Sequence, residues 1–310
     1  MINTIKQYDW KKYNYSLLVA VLFLCALSAF AVKMAGGEEH GMSYMKSQLV
    51  GTFLGLVIVA ALSVIDYHFI CKFAAIYYVF GVLLTAATHS PIGTNNDTDA
   101  RRWIKVGSIT FQPTELMKII LILSLAALFA KRHRMEKVST LVIVVAVTGI
   151  PALVIMSQPD LSSSLVTVFI MLVLIFVSGL SYKILAPVIV MGIPLGVVLF
   201  WYIQQPYNVL LKHYQYKRIM AWLHPETDVK GTINYQQNRS IRAIASGGLY
   251  GKFLQDGGTK GASRAYHSVG VNESDFIWSV IGEEFGFLGC CLILLVFAFI
   301  IFKCFLVAKN

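Results

Sequence analysis

Eight apolar runs divide this chain of 310 residues, and they decide what it can fold into. They are Ser16–Ala35, Gln48–Ile65, Phe69–Thr88, Phe111–Ala130, Thr140–Met156, Ser164–Val177, Tyr182–Ile203 and Phe276–Val307. A helix of roughly 20 apolar residues crosses the hydrocarbon core of a bilayer. Lipid offers backbone groups no partner, so such runs must satisfy their own hydrogen bonds as helices. The expected fold class is an all-α polytopic membrane protein with about eight transmembrane helices. Composition agrees: 57% of residues are hydrophobic and 14% charged, against about 45–50% and about 25% in soluble domains. The formal net charge of +10 reads as loop charge beside cytoplasm and anionic lipid, with no nucleic acid expected as partner. The first run also admits a signal-peptide reading, with Ala26-Leu27-Ser28 as the cleavage site. Its length and the seven runs after it favour a membrane span.

Lys and Arg in short loops set the orientation. Lys6, Lys11 and Lys12 precede the first run, and Lys131, Arg132, Arg134 and Lys137 follow the fourth. Lys183 opens the seventh, and Lys303 and Lys309 close the chain. All share one side if the N-terminus is cytoplasmic. The segments Gly36–Lys46, Ser90–Thr110, Ser157–Ser163 and Gln204–Asp275 are then outer loops. The last of these, residues 204–275, is a large extracytoplasmic loop. Its basic residues break the charge rule, but long loops translocate regardless of charge. They are either a solvated surface beside lipid head groups or a cradle for an anionic substrate. Trp222, Tyr235 and the run Ile241–Leu249 predict that the loop is folded and dips into the membrane. The five cysteines, Cys25, Cys71, Cys290, Cys291 and Cys304, avoid the outer loops, so no disulfide is expected.

Polar residues in and beside the runs carry the chemistry, because charge at the membrane centre is costly and marks function by default. Gln112, Glu115 and Lys118 fall on one helical face at the start of the fourth run. They form either an internal ion pair that aids packing or the floor of an outward-facing polar cavity. Arg101, Arg102 and Trp103 precede that run, Gln158-Pro159-Asp160 follows the fifth, and Asp275 stands at the head of the eighth. All lie at the outer surface in this topology. Phosphate favours Arg and Lys, and a carboxylate near cations stays ionised and can act as a base. The eighth run continues Gly282-Glu283-Glu284-Phe285-Gly286. Its Gly-x-x-x-Gly spacing predicts close helix packing. On a continuous helix Glu283 lies about 80° around the axis from Asp275 and Glu284 about 180°. Glu283 is therefore the expected cavity residue.

At these residues the chain resembles the SEDS proteins (shape, elongation, division and sporulation), typified by RodA and FtsW. The resemblance rests on ordered segments. They run from Arg101-Arg102-Trp103 through Phe111-Gln112-Pro113-Thr114-Glu115 to Lys118, then Gln158-Pro159-Asp160-Leu161. Tyr214-Gln215 through Arg218 to Pro225 follows, and then Gly231 through Tyr235-Gln236. Ala243 through Lys252 and Ser274-Asp275-Phe276-Ile277 through Glu284 complete the set. The Tyr-Gln-x-x-Arg and Gln-Pro-Asp-Leu forms are closer to RodA than to FtsW. The resemblance implies a single SEDS-type transmembrane domain over residues 1–310 that polymerises lipid II (undecaprenyl pyrophosphate-linked disaccharide peptide) into peptidoglycan. It also implies a class B penicillin-binding protein as partner, with other elongation or division machinery. The family's catalytic aspartate falls on Asp275, its cavity residues on Arg102, Glu115 and Lys118, and its Gln-Pro-Asp aspartate on Asp160.

What the resemblance implies chemically is an inverting glycosyl transfer. Asp275 serves as general base, with cations, or a divalent magnesium or manganese ion, countering charge on the leaving pyrophosphate. Two departures stand out. Ser268–Ser274 lacks the Pro-Glu pair usual before the family's aspartate. The family has ten spans where eight are counted here, so the chain is expected to lack the last two and to have reduced activity alone. A lipid-linked precursor transporter and a non-catalytic scaffold are the rival readings.

Overall fold

In the computed structural model, residues 13–94, 101–107, 109–131, 138–158, 160–178, 182–205, 209, 213–225, 234–255 and 264–309 are described. Pro159, and Lys212, Lys230 and Lys260 of the long loop, lie outside them. Among the described residues five helices are long and apolar enough to cross a membrane: Tyr15–Ala35, Gly37–Val64, Pro113–Ala130, Ser139–Ser157 and Ile277–Lys309. Ala74–Ala87, Ser162–Val177 and Ile189–Ile203 are apolar but shorter. The chain is thus a multi-pass membrane protein. Its contacts group into two units, residues 1–64 with 201–310, and residues 65–200.

The first unit opens with α1 (Tyr15–Ala35), capped by the Asn14 side chain on the Leu17 amide, and α2 (Gly37–Val64). An outer loop was expected over Gly36–Lys46, and there is none. Gly37 turns the chain at φ +60°, and the helix resumes at once through Glu38, Glu39 and His40. Glycines at 36, 37 and 41 allow this, because a Cβ on Gly36 or Gly41 would collide with the backbone of the facing segment. Gln48 Nε2 donates to Ser28 Oγ at 3.0 Å across the pair. At 1.5 Å per residue, α2 is about 42 Å long, more than the roughly 30 Å of hydrocarbon. Its polar first turns therefore need not enter the apolar layer.

The second unit holds α3 (Tyr67–Lys72), α4 (Ala74–Ala87), α5 (Pro113–Lys131), α6 (Val138–Ser157), α7 (Leu161–Val177) and most of α8 (Tyr182–Ile203). The expected span Phe69–Thr88 is broken at Phe73, which closes α3 and starts α4. Three short antiparallel strands, β1 (Gly93–Thr94), β2 (Trp103–Val106) and β3 (Ile109–Phe111), lead into α5. Phe111 thus belongs to a strand, not to the membrane helix, and Pro113 takes the first helical position, where its missing N–H costs nothing. The core of the unit is Met117, Ile120, Leu121, Leu125, Val144 and Ile175. Gly81 on α4 lets Met117 and Ile120 of α5 close on its backbone.

Pro151 sits inside α6 and leaves the Val147 carbonyl without its i+4 amide donor. Tyr78 of α4 supplies the replacement: its hydroxyl donates to Val147 O at 2.8 Å. Tyr78→Phe should therefore cost about 1–3 kcal/mol, the range for a buried acceptor left unmet. Pro151→Ala restores an amide at the right place, so the double variant should regain most of the lost thermal stability in detergent. A double variant no more stable than Tyr78→Phe alone would show that this carbonyl is not what Tyr78 serves.

Candidate active site

The second half of the first unit is built on α12 (Ile277–Lys309), which is not continuous. Gly286 breaks it at φ 65°, ψ −166°. The amides after the break lose their intrahelical partners. Phe287 N–H instead donates to Gly248 O at 2.9 Å and Leu288 N–H to Leu249 O at 3.2 Å. These carbonyls belong to the Gly247–Gly251 turn, which follows α9 (His213–Leu223) and α10 (Tyr235–Ser246). A Cβ on Gly247 would strike Gly282 O, and one on Gly251 would strike Glu284 O. A pair of Gly-x-x-x-Gly segments, Gly247–Gly251 and Gly282–Gly286, thus meets backbone to backbone. The expected helix packing holds at Gly282, which meets Ile244 of α10, while Gly286 packs against the folded turn. Ser279 Oγ donates to Ser240 Oγ at 2.7 Å beside this contact.

Above the break Glu283 and Glu284 are fully buried, at 0% and 1% exposure. Each has its own cation. Lys252 Nζ, at the start of α11 (Lys252–Gln255), donates to Glu283 Oε1. The same carboxylate accepts the amides of Ala265 and Tyr266, both at 2.8 Å. Arg264 Nε donates to Glu284 Oε1 at 2.7 Å, with Nη2 reaching Oε2 at 3.3 Å. Tyr266 Oη also donates to Glu284 Oε1, at 2.9 Å. Buried charge survives only with partners of this kind. Burial, and after it the Glu284 charge, push the Tyr266 phenol well above its usual range.

Asp275 lies outside α12, in the turn before Ile277, and is exposed. Among the described residues its carboxylate has no partner. The helical angle expected between Asp275 and Glu283 therefore does not apply. The sequence ranks Glu283 above Glu284, counts Lys252 and Arg264 only among the basic residues of the long loop, and gives no signal for Tyr266. One signal was available: two adjacent acids in an apolar run need two cations, and the loop is basic.

In the second unit Arg102 stands at the head of β2. Its Nε donates to Gln158 O at 3.2 Å, and Nη1 lies 3.9 Å from Asp160 Oδ2. Asp160 is buried and caps α7, accepting from Ser163 N at 3.1 Å and Ser162 Oγ at 3.0 Å. Gln158, 2% exposed, ties three helices. Its Nε2 donates to Thr85 O at 2.8 Å and Thr88 Oγ1 at 2.7 Å, and Thr114 Oγ1 reaches its Oε1 at 3.5 Å. Gln112 is half-buried at the mouth of α5, its carbonyl accepting from Glu115 N at 3.2 Å. Lys118 Nζ meets Glu115 Oε1 at 2.8 Å. Glu115 is 60% exposed, so this pair is an open one, worth about 0.2–1 kcal/mol. Among the described residues no three His, Cys, Asp or Glu side chains gather as metal ligands.

A polytopic helical protein with a polar loop docked on a broken helix is the class these features define. The chain belongs to the FtsW, RodA and SpoVE family of cell cycle proteins, whose family model matches residues 11–310. It is similar to the peptidoglycan glycosyltransferase MrdB of Escherichia coli strain K12, at 27% identity over 97% of this chain and 78% of that protein. Among solved structures it resembles a chain of a peptidoglycan synthase complex described as coordinating polymerization and crosslinking. There the TM-score is 0.75 at 24% identity, covering 97% of this chain and 79% of that one. The Thermus thermophilus Rod shape determining protein RodA aligns with a TM-score of 0.62 at 22% identity, over 97% of this chain and 77% of its own. The structural likeness establishes a RodA-like fold.

Arg264→Ala would leave Glu284 without its cation, at a cost of about 3–5 kcal/mol. Arg264→Lys should recover part of that in a detergent melt. The Tyr266 phenol has a raised pKa in the folded state, so its contribution is whole below about pH 10. It is lost as pH rises through the folded value. Tyr266→Phe should therefore cost about 1 kcal/mol at neutral pH and flatten the alkaline fall in Tm. An unchanged alkaline slope would show that Tyr266 does not hold its proton against Glu284.

Proposed function

We propose that this chain is an inverting peptidoglycan glycosyltransferase that polymerises lipid II at the outer face of the bacterial cytoplasmic membrane, in elongation or division. Asp275 carries the reading. It is an exposed carboxylate with no partner among the described residues, held at the head of a broken helix. It occupies the position that the family resemblance gives to the general base. Relatives named peptidoglycan glycosyltransferases support the substrate class.

The chemistry asked of each residue is simple. The acceptor sugar's 4-hydroxyl attacks the donor's anomeric carbon and forms the new glycosidic C–O bond. The bond from that carbon to the pyrophosphate oxygen breaks, and undecaprenyl pyrophosphate leaves. Asp275 takes the hydroxyl proton, help worth roughly 10²–10⁴-fold in rate. Arg102 and Lys118 are cations suited to the negative charge that grows on the leaving group. Gln158, Asp160 and Glu115 hold those cations in place. A magnesium or manganese ion fits this reading as a ligand of the substrate's pyrophosphate, with one or two carboxylates at most from the protein. A class B penicillin-binding protein is the proposed partner. The resemblance to a synthase complex described as coordinating polymerization with crosslinking supports it.

Purified protein, with and without that partner, should convert labelled lipid II to polymer. Asp275→Asn should insert normally and lose at least about a hundredfold in rate. Substantial polymer from that variant would sink the assignment of the base. Movement of lipid II across vesicles without polymer would favour a transporter.

Orientation is a separate test. In a cysteine-free background with a permeable outer boundary, Tyr250→Cys should react with an impermeant thiol reagent and Tyr67→Cys should not. The reverse pattern would place the Asp275 loop in the cytoplasm.

A further inference from the structure

We propose that Glu283 and Asn272 are positioning residues that hold the strained turn carrying Asp275. The role given to Asp275 rests on the activity proposed above, whereas the holding of the turn stands on geometry alone. Val271 has φ +58° and is the one non-glycine residue at positive φ among those described. A β-branched side chain rarely adopts this conformation. Its side chain is 51% exposed, so no packing of its own offsets the strain. Such outliers persist where their surroundings over-determine them, and they cluster at functional sites.

The surroundings here are specific. On one side Gly270 N–H donates to Gln236 Oε1 at 2.6 Å. On the other, Asn272 is buried and its Nδ2 donates to Tyr266 O at 3.0 Å. Tyr266 and its neighbour Ala265 are themselves fixed, because both amides donate to Glu283. Glu283 in turn is neutralised by Lys252. Beyond Val271 the chain folds back on itself. Ser274 N–H and Phe276 N–H both donate to Val271 O, at 3.3 Å and 3.2 Å, and Ile277 N–H donates to Ser274 O at 3.3 Å.

Asp275 lies inside that ring of bonds. The path is closed: from Asp275 along α12 to Glu283, across to Tyr266, through Asn272 to Val271, and back to Asp275. Each link is short, and the circuit closes through the first turns of α12. A carboxylate with no partner among the described residues is thereby aimed by its backbone. This is how a base is kept in reach of a substrate proton without being neutralised by a neighbour. Glu283, wholly buried and with both oxygens engaged, is placed to support the turn and not to meet substrate.

The test uses the full chain in detergent or nanodiscs, with two readouts. One is the lipid II concentration dependence of polymerisation. The other is hydrogen–deuterium exchange of the segment 269–277. Asn272→Ala removes the link to Tyr266 without leaving a buried charge, so it should fold. It should speed exchange of the turn and lower kcat by about tenfold to a hundredfold, with KM held within about twofold. Glu283→Gln keeps an acceptor oxygen for only one of the two amides and should give a change of the same kind. Glu283→Ala should give a larger one. A merely structural role would lower Tm and leave kcat per folded molecule unchanged, and that result overturns the proposal. A raised KM with kcat intact in Glu283→Gln also overturns it, because that is the mark of a substrate contact. If the unmodified chain makes no polymer, the proposed activity falls and exchange alone decides. Unchanged exchange in both Asn272→Ala and Glu283→Gln then overturns the positioning.

Discussion

Two adjacent buried carboxylates organise one unit of this protein. Glu283 and Glu284 occupy an apolar helix where neither is tolerable alone, since an uncompensated buried charge costs several kcal/mol. Successive residues point about 100° apart around a helix, so one cation cannot serve both. The loop answers with Lys252 for one and Arg264 with Tyr266 for the other. The electrostatic need of two residues thereby fixes the path of a segment 17 or more residues away in sequence. That segment leads straight into Asp275.

The break at Gly286 does the same work through the backbone. A helix interrupted in an apolar setting exposes amides that no solvent satisfies. Here the Gly248 and Leu249 carbonyls take them up. Only glycine backbones approach closely enough, which is why four glycines sit at the contact. Pro151 in the other unit poses the converse problem, a carbonyl without a donor, and a tyrosine solves it. In both places a helix defect inside the apolar layer is matched by one polar partner from a neighbouring element.

The apolar runs were legible because span length is set by bilayer thickness, and that constraint acts on sequence directly. The family was legible because its polar motifs interrupt those runs in a fixed order, and the family match over residues 11–310 bears that out. Element ends were less so. Gly36–Lys46 looks like a loop by its charge, yet helix needs only a left-handed turn at Gly37 and helix formers after it. Phe73 ends a helix with no turn residue to announce it. The pairing of Glu283 with Lys252 was hidden for a different reason. Helical periodicity relates residues on one continuous helix, and Asp275 and Lys252 are not on it.

The two candidate cations of the second unit are held differently. Arg102 is held by a neutral carbonyl and sits at the outer limit of an ion pair with Asp160. Asp160 meanwhile spends its other bonds on capping α7. Lys118 has a short contact with Glu115, but that carboxylate is open to water, where such a pair is weak and readily exchanged for another anion. A site proposed to attract a pyrophosphate and later release it is better served by a lightly held cation such as Lys118 than by a buried pair. Lys252 and Arg264 are the opposite case: their partners are fully buried, and breaking either pair strands a charge. Burial of the partner carboxylate sets Lys118 apart: its partner Glu115 is open to water, whereas Lys252, Arg264 and Arg102 all face buried carboxylates.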